Sequence, residues 1–345
     1  MKAASLTLQA PVDQGYGIKI QQPVRVIQGV VTGFERLSTS KDETRYALTL
    51  EPRLALLDRS HQNAIYQDMS VPQIVEKILR ERHGMRGQDF LFSLSKEYPR
   101  REQVMQYAED DLHFITRLLG EVGIWFRFTT DTRLSIDVVE FYDSQQGYEK
   151  GLTLPSVPPS GQHSKGVDSV WGMGCHHNVV QKQVSTRDYN YREALTPQDS
   201  TESISSQEGI TAGEIYHYAE PFLTAGDTES TESGTYFARL RHERILNTQY
   251  HVTGHSSSPH LAPGQVLETD GSLPDVVKEG IVITTVRTSG SRKSSFTLTF
   301  EGIPYSETVC YRPALLSRPV ISGSLPARVE STQKGDTYSW LDPEG

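Results

Sequence analysis

The strongest constraint on this chain is how often its periodicity breaks. Runs that alternate as strands do, such as "VRVIQGVVTGFERL" (24–37) and "TRYALTLEP" (44–52), are short, and polar turns such as "STSKDE" (38–43) separate them. A side-chain period of two with such turns specifies hairpins. The pattern returns in "EIYHYAEPF" (214–222), "QYHVTGHS" (249–256), "EGIVITTVRTSG" (279–290) and "SSFTLTFEGI" (294–303). The 27 glycines, 18 prolines and 16 tyrosines among 345 residues agree with many short strands and turns. At roughly 150 residues per domain, the length implies about two domains, possibly with part of a third.

Charge and cysteines narrow the function classes. The net charge of −9 argues against nucleic acid as the main partner, because phosphate binding needs a concentrated basic surface. The densest basic cluster, "YPRREQ" (98–103), is short and reads as a solvated helix start. Cys175 and Cys310 make no disulfide framework and read as two free thiols of a reducing compartment. The N-terminal stretch has no continuous apolar core, so it is a poor signal peptide. No apolar run approaches the ~18 residues needed to span a bilayer. The expectation is a protein made in the cytoplasm and, if exported, exported without a signal peptide.

Three helices interrupt the strands. "SVPQIVEKILRERHG" (70–84) has Ser70 to cap it, Pro72 in the first turn and Gly84 to end it, with an apolar stripe of Val71, Ile74, Val75, Ile78 and Leu79. A second is expected from near Pro99 to Gly123, followed by a hairpin built from "IWFRF" and "LSIDVVEF". A third covers 235–247. The stretch 151–169 reads as an inter-domain connection, and 196–209 and 224–234, rich in Ser, Thr and Glu, read as mobile loops. "RPALLSRPVISGSLP" (312–326) reads as an extended linker, after which a strand pattern begins that cannot bury a core alone.

Several stretches come close to catalytic signatures. "HERIL" (242–246) lacks the second His of a zinc-protease motif, since Leu246 stands there. "GHSSS" (254–258) has Ser258 where a nucleophile elbow needs Gly, and "SLSK" (93–96) lacks its companion motifs. In "WGMGCHHN" (171–178), strand alternation lets at most Cys175 and His177 share an ion. His251, His255 and His260 read as surface histidines in a loop.

The densest group of titratable residues is in "YAEDDLHFITRLLGEVGIWFRF" (107–128), with Glu109, Asp110, Asp111 and His113 within five positions. As a helix starting before Val104, at about 100° per residue, Ala108, Leu112, Ile115, Leu118, Leu119 and Val122 share the core face. Glu109 and His113 then fall on the opposite, wet face, Asp110 on the flank, and Asp111 inside the apolar arc. A carboxylate there is costly unless paired, so Asp111 is expected to hold loop amides or an arginine, with no second titratable group on its face.

The same stretch resembles the Y-x-E-S-D-x-x-F-x-x-R-L-L-E-x-x-G-I-x-x-x-F signature of the VgrG spike proteins of type VI secretion, at Tyr107, Glu109, Asp111, Phe114, Arg117, Leu118, Leu119, Gly123, Ile124 and Phe128. Blocks upstream ("VIQGVVTGFERL", "ERHG") and downstream ("YFARLRHERI", "LAPGQVLETDG", "FEGIPYSETVCYRP") follow the family's order from about Val24 onward. The resemblance implies a β-rich α+β fold like a phage baseplate hub. A first β-barrel would occupy 1–60, with further strands upstream, and an α/β insertion 61–150. A connection (151–169), a second β-barrel with long loops (170–310), a linker (311–326) and the truncated start of an OB-fold domain (327–345) would follow. It further implies a homotrimer that caps the hexameric tube protein, contacts the target membrane mechanically, and carries a spike-tip protein and effectors through its C-terminal part. No catalytic, cofactor-binding or metal residue is expected and no cofactor. The alternatives are a baseplate hub of a contractile phage or prophage tail and, from another class, a metal-dependent or Ser/His hydrolase using residues such as His177.

Overall fold

The computed structural model describes residues 3–13, 19–157, 167–188, 198–204, 211–218, 230–271, 273–291 and 296–324, with 326, 334, 335 and 337 beyond. The first strands are β1 (Ala3–Asp13), β2 (Lys19–Thr39) and β3 (Thr44–Glu51), an antiparallel sheet in the order β1-β2-β3. The polar turn at 40–43 joins β2 to β3, as the alternation predicts, and Ser40 closes it by accepting from the Glu43 amide. The short 3₁₀ helix Arg53–Arg59 then drops Leu54 and Leu57 into the interior.

The next segment is mixed. Strand β4 (His61–Met69) leads to helix α1 (Val71–Lys77), followed by β5 (Phe90–Ser93), β6 (Arg101–Asp110), α2 (Asp111–Glu121), β7 (Trp125–Asp131) and β8 (Ile136–Tyr142). Its core is the expected stripe, Val71, Ile74, Val75, Ile78 and Leu79, closed by Phe114, Ile115, Leu118, Leu119, Ile124 and Phe141. Each fully buried aliphatic side chain contributes roughly 1.5–3 kcal/mol, so this interior dominates the local stability. Ser70 and Gln73 form a reciprocal capping box, and Gly84 leaves the helix with φ +61°. The last turn, Ile78–Arg82, is wound wider, as a π-helical turn.

Helix α2 begins at Asp111 and not near Pro99. Residues Arg101–Asp110 pair antiparallel with β4, from Met69 opposite Arg101 to His61 opposite Asp110. Val104 and Ala108 also fit a helical arc, so the sequence carried both periods. The partner strand selected the period of two, which buries Val104 and Gln106, and a register shift between Gln62 and Ala64 on the partner then turns Glu109 inward. Ala108, in the left-handed region at φ +47°, and Asp110, whose carboxylate accepts from the His113 amide at 2.7 Å, then start the helix.

The second half is built on a six-stranded sheet. It contains β9 (Glu149–Leu154), β10 (Val170–His177), β14 (Tyr250–Ser256), β15 (Gln265–Thr269), β16 (Ile281–Ser289) and β17 (Thr297–Pro304), in the order β10-β14-β17-β16-β15-β9. A smaller sheet, β12-β11-β13, comprises β11 (Gln183–Asp188), β12 (Gln198–Glu202) and β13 (Glu214–Tyr218), and carries α3 (Gly234–Asn247). Two loop expectations change. Glu149–Leu154 pairs parallel with β15, and Gln198–Glu202 pairs with β11, so tertiary pairing overrides their polar composition. His251 and His255 lie on β14, exposed there but not in a loop. Residues 224–229 and nearly all of 327–345 fall outside the described residues. Among the described residues, no helix is long and apolar enough to cross a membrane.

Candidate functional site

The acidic stretch that suggested chemistry becomes a buried lattice of ion pairs. Asp111 is fully buried in the first turn of α2, where the helix dipole favours a carboxylate. Its Oδ1 accepts from Arg82 Nη1 at 2.7 Å and from Gln106 Nε2 at 2.8 Å, while His83 Nε2 stands 2.7 Å from Oδ2. The wide turn ending α1 brings Arg82 and His83 to the same carboxylate. The expected arginine partner is therefore present. His83 is a correction, because a second titratable group does share the face, from 28 positions away in sequence.

Glu109 and His113 do meet, at 3.7 Å, but not on a wet helical face. Glu109 is on β6, buried, and receives both Arg117 Nε and Nη2 at 2.8 Å. This fork-to-fork pairing fixes the angle between β6 and α2. Arg117 also donates to Glu121 at 3.0 Å, which in turn accepts from Arg101 at 3.0 Å and Arg318 at 2.9 Å. Arg101 reaches on to Glu232 at 2.9 Å. Three carboxylates (Glu109, Glu121, Glu232) thus meet three guanidiniums (Arg101, Arg117, Arg318). Burial by itself would raise the Glu121 carboxyl, but Arg318, Arg101 and Arg117 outweigh it and hold it below its ordinary value. At Glu232 burial prevails over Arg101 and the carboxyl is pushed up. Removing one member of such a buried pair costs about 3–5 kcal/mol.

The remaining motifs have structural partners. His242 is buried, accepts the Ile204 amide on Nδ1, and is lowered mainly by desolvation. Glu243 pairs with Arg312. In "SLSK", the Ser95 hydroxyl and the Ser95 and Lys96 amides donate to Asp143, which fastens a loop and activates no nucleophile. Ser256 donates to the Ser169 carbonyl. Cys175, His176 and His177 lie along exposed β10, with His177 stacked on Tyr250. Among the described residues no three His, Cys, Asp or Glu converge to hold a metal. Both cysteines are free thiols.

The sequence profile of the phage tail baseplate hub family matches residues 1–294. The chain belongs to the phage tail baseplate hub family. It is similar to the type VI secretion spike protein VgrG4b of Pseudomonas aeruginosa, 45% identical over 102 residues, 30% of this chain and 12% of that protein. It is also similar to VgrG3 of Vibrio cholerae, 24% identical over 354 residues, 97% of this chain and 33% of that protein. Among solved structures, the Escherichia coli c3393 protein superposes with a TM-score of 0.69 at 48% identity, covering 89% of this chain and 68% of that one. That protein is described as a type VI secretion component with structural similarity to the phage T4 tail proteins gp27 and gp5. The resemblance to VgrG drawn from residues 107–128 holds. The chain spans 12% of the VgrG4b sequence and 33% of the VgrG3 sequence.

Proposed function

We propose that this chain is the hub portion of a structural subunit of the trimeric cell-puncturing spike of a type VI secretion system. In this reading residues 1–60 and 170–310 supply two small β-barrels, 61–150 is the α/β insertion, and 311–326 leads into an OB-fold domain. Three copies cap the hexameric tube protein, and the C-terminal part carries a spike-tip protein and effectors. Sheath contraction then drives the assembly out of the cell and through a target membrane.

The observation that carries it is how the buried charges are used. Asp111, Glu109, Glu121 and Glu243 are each bound by a guanidinium from another part of the chain, Arg82, Arg117, Arg101 and Arg312 in turn. Such groups are committed to rigidity and are not free to exchange protons with a substrate, which supports a non-enzymatic, mechanical role. Deleting the gene should abolish release of the tube protein into the medium, and full-length protein should restore it and sediment as a trimer. Undiminished release, or a full-length protein that is only monomeric, would overturn the reading. The family match equally favours a baseplate hub of a contractile phage or prophage tail, and neighbouring genes for a sheath ATPase and membrane complex, against capsid genes, separate the two.

A further inference from the structure

The segment Tyr305–Ser324 has no regular secondary structure, yet its first part is more heavily bonded than most loops. The Arg312 guanidinium is buried and reaches three acceptors. Nε pairs with Glu243 on α3, and Nη1 donates to the Gly123 and Asp143 carbonyls, each at 2.8 Å. Gly123 follows α2 and Asp143 follows β8, so one side chain links α3 to the α2–β8 region. The Arg312 amide donates to Asn247 Oδ1 at 2.8 Å, and the Tyr311 amide to the Tyr148 hydroxyl at 2.7 Å. Asn247 Nδ2 donates to the Cys310 carbonyl at 3.1 Å, and Arg244 Nε to the Pro313 carbonyl at 2.8 Å.

The backbone beneath is cut to fit. A Cβ at Gly123, whose φ is +77°, would stand 2.5 Å from Leu240 and 3.3 Å from Arg312. One at Gly120 would stand 3.0 Å from the Ala314 carbonyl oxygen. Further along, Arg318 completes the ion lattice at Glu121. Its side chain is half exposed, so it adds a bridge from this segment to a buried carboxylate that Arg101 and Arg117 already hold. Past Arg318 the described residues 319–324 are exposed, Val320 to 86%.

We propose that residues 310–318 are a load-sharing interlock, in which Arg312 pins the outgoing chain to α3 and to the α2–β8 region together, so that force applied beyond Arg318 is borne by both halves and not by β17 alone. The assignment of force rests on the spike reading, whereas the interlock itself does not.

Two measurements on the full-length protein test it. In hydrogen exchange, Arg312→Ala should speed exchange at the amides of Cys310, Tyr311 and Arg312 on the order of 100-fold, as expected for breaking one buried charge pair. The β16 amides Ile281–Ile283 should keep their wild-type rates. Equal acceleration in β16 and the strap, or none in the strap, would overturn the proposal. In single-molecule pulling between handles at Ser324 and at Asp42 in the β2–β3 turn, the wild type should resist until a whole unit yields. Arg312→Ala should add an earlier low-force step releasing the 14 residues Tyr305–Arg318, about 48 Å of chain. Identical first steps in both proteins would refute load sharing. If Arg312→Ala does not fold, Arg312→Lys, which keeps the charge but cannot reach three acceptors, gives both readings. Loss of the spike function in secretion assays would not alter either reading, so the two claims fail separately.

Discussion

The mixed α/β segment 61–150 and the β2–β3 hairpin place charge and apolar surface in opposite ways. In that segment, Asp111, Glu109, Arg117 and Glu121 point inward and are paired, within an aliphatic core whose members are almost wholly buried. In the hairpin, residues 34–46 are all exposed, and Phe34 (67% exposed) stacks on Tyr46 beside Leu48 (65%). An isolated two-stranded ribbon is marginal in water. The segment 61–150 thus buries its charges in pairs, some with partners from the second half, while the hairpin leaves apolar side chains exposed. The density of titratable groups marks stability here.

The contrast can be broken first at Arg117. Arg117→Ala leaves Glu109 and Glu121 buried without their shared guanidinium and should cost about 3–5 kcal/mol by denaturant titration; a loss below 1 kcal/mol would mean the lattice is not structural. Acid gives a graded version. Because the Glu121 carboxyl is held below its ordinary value in the folded state, its contribution is fully present above the ordinary carboxylate range, about pH 4.3, and disappears as pH falls through the lower folded value. Stability measured from pH 6 to pH 2 should therefore fall less steeply in Glu121→Gln than in wild type. Smaller again, Ser70→Ala removes the α1 capping box and should cost about 1 kcal/mol. Least of all, Phe34→Ser should change stability by no more than about 0.5 kcal/mol while weakening association of the full-length protein by sedimentation. A large stability loss at Phe34 would show the hairpin to be part of the core.

The parts of this fold that sequence reveals are those set by local chemistry. The Ser70 cap, the stripe from Val71 to Leu79, the stop at Gly84 and the hairpin turn at 40–43 each depend on neighbours within a few positions. The start of α2 is ambiguous in the sequence because Val104 and Ala108 satisfy two periods, and only pairing with β4, some forty residues upstream, decides between them. The helical period puts Glu109 in water, whereas the strand puts it under Arg117. Of the buried pairs, Asp111 showed itself as a carboxylate in an apolar arc, and the prediction of an arginine partner was sound in kind. Its identity, Arg82, and the presence of His83 depended on a wide turn with no local sequence marker. Arg312 was hidden in a proline-rich stretch that reads as a linker, and nothing local joins it to Glu243 across 69 positions.

The central claim is that the signature acids hold structure and do no chemistry, and Asp111 tests it most directly. Thermal melting of Asp111→Ala, followed together with tube-protein release, should show Tm lowered by roughly 6–12 °C, from a loss of about 3 kcal/mol or more, with release falling in parallel. A variant that melts like wild type yet no longer supports release would contradict the account, because Asp111 would then act through something other than the scaffold.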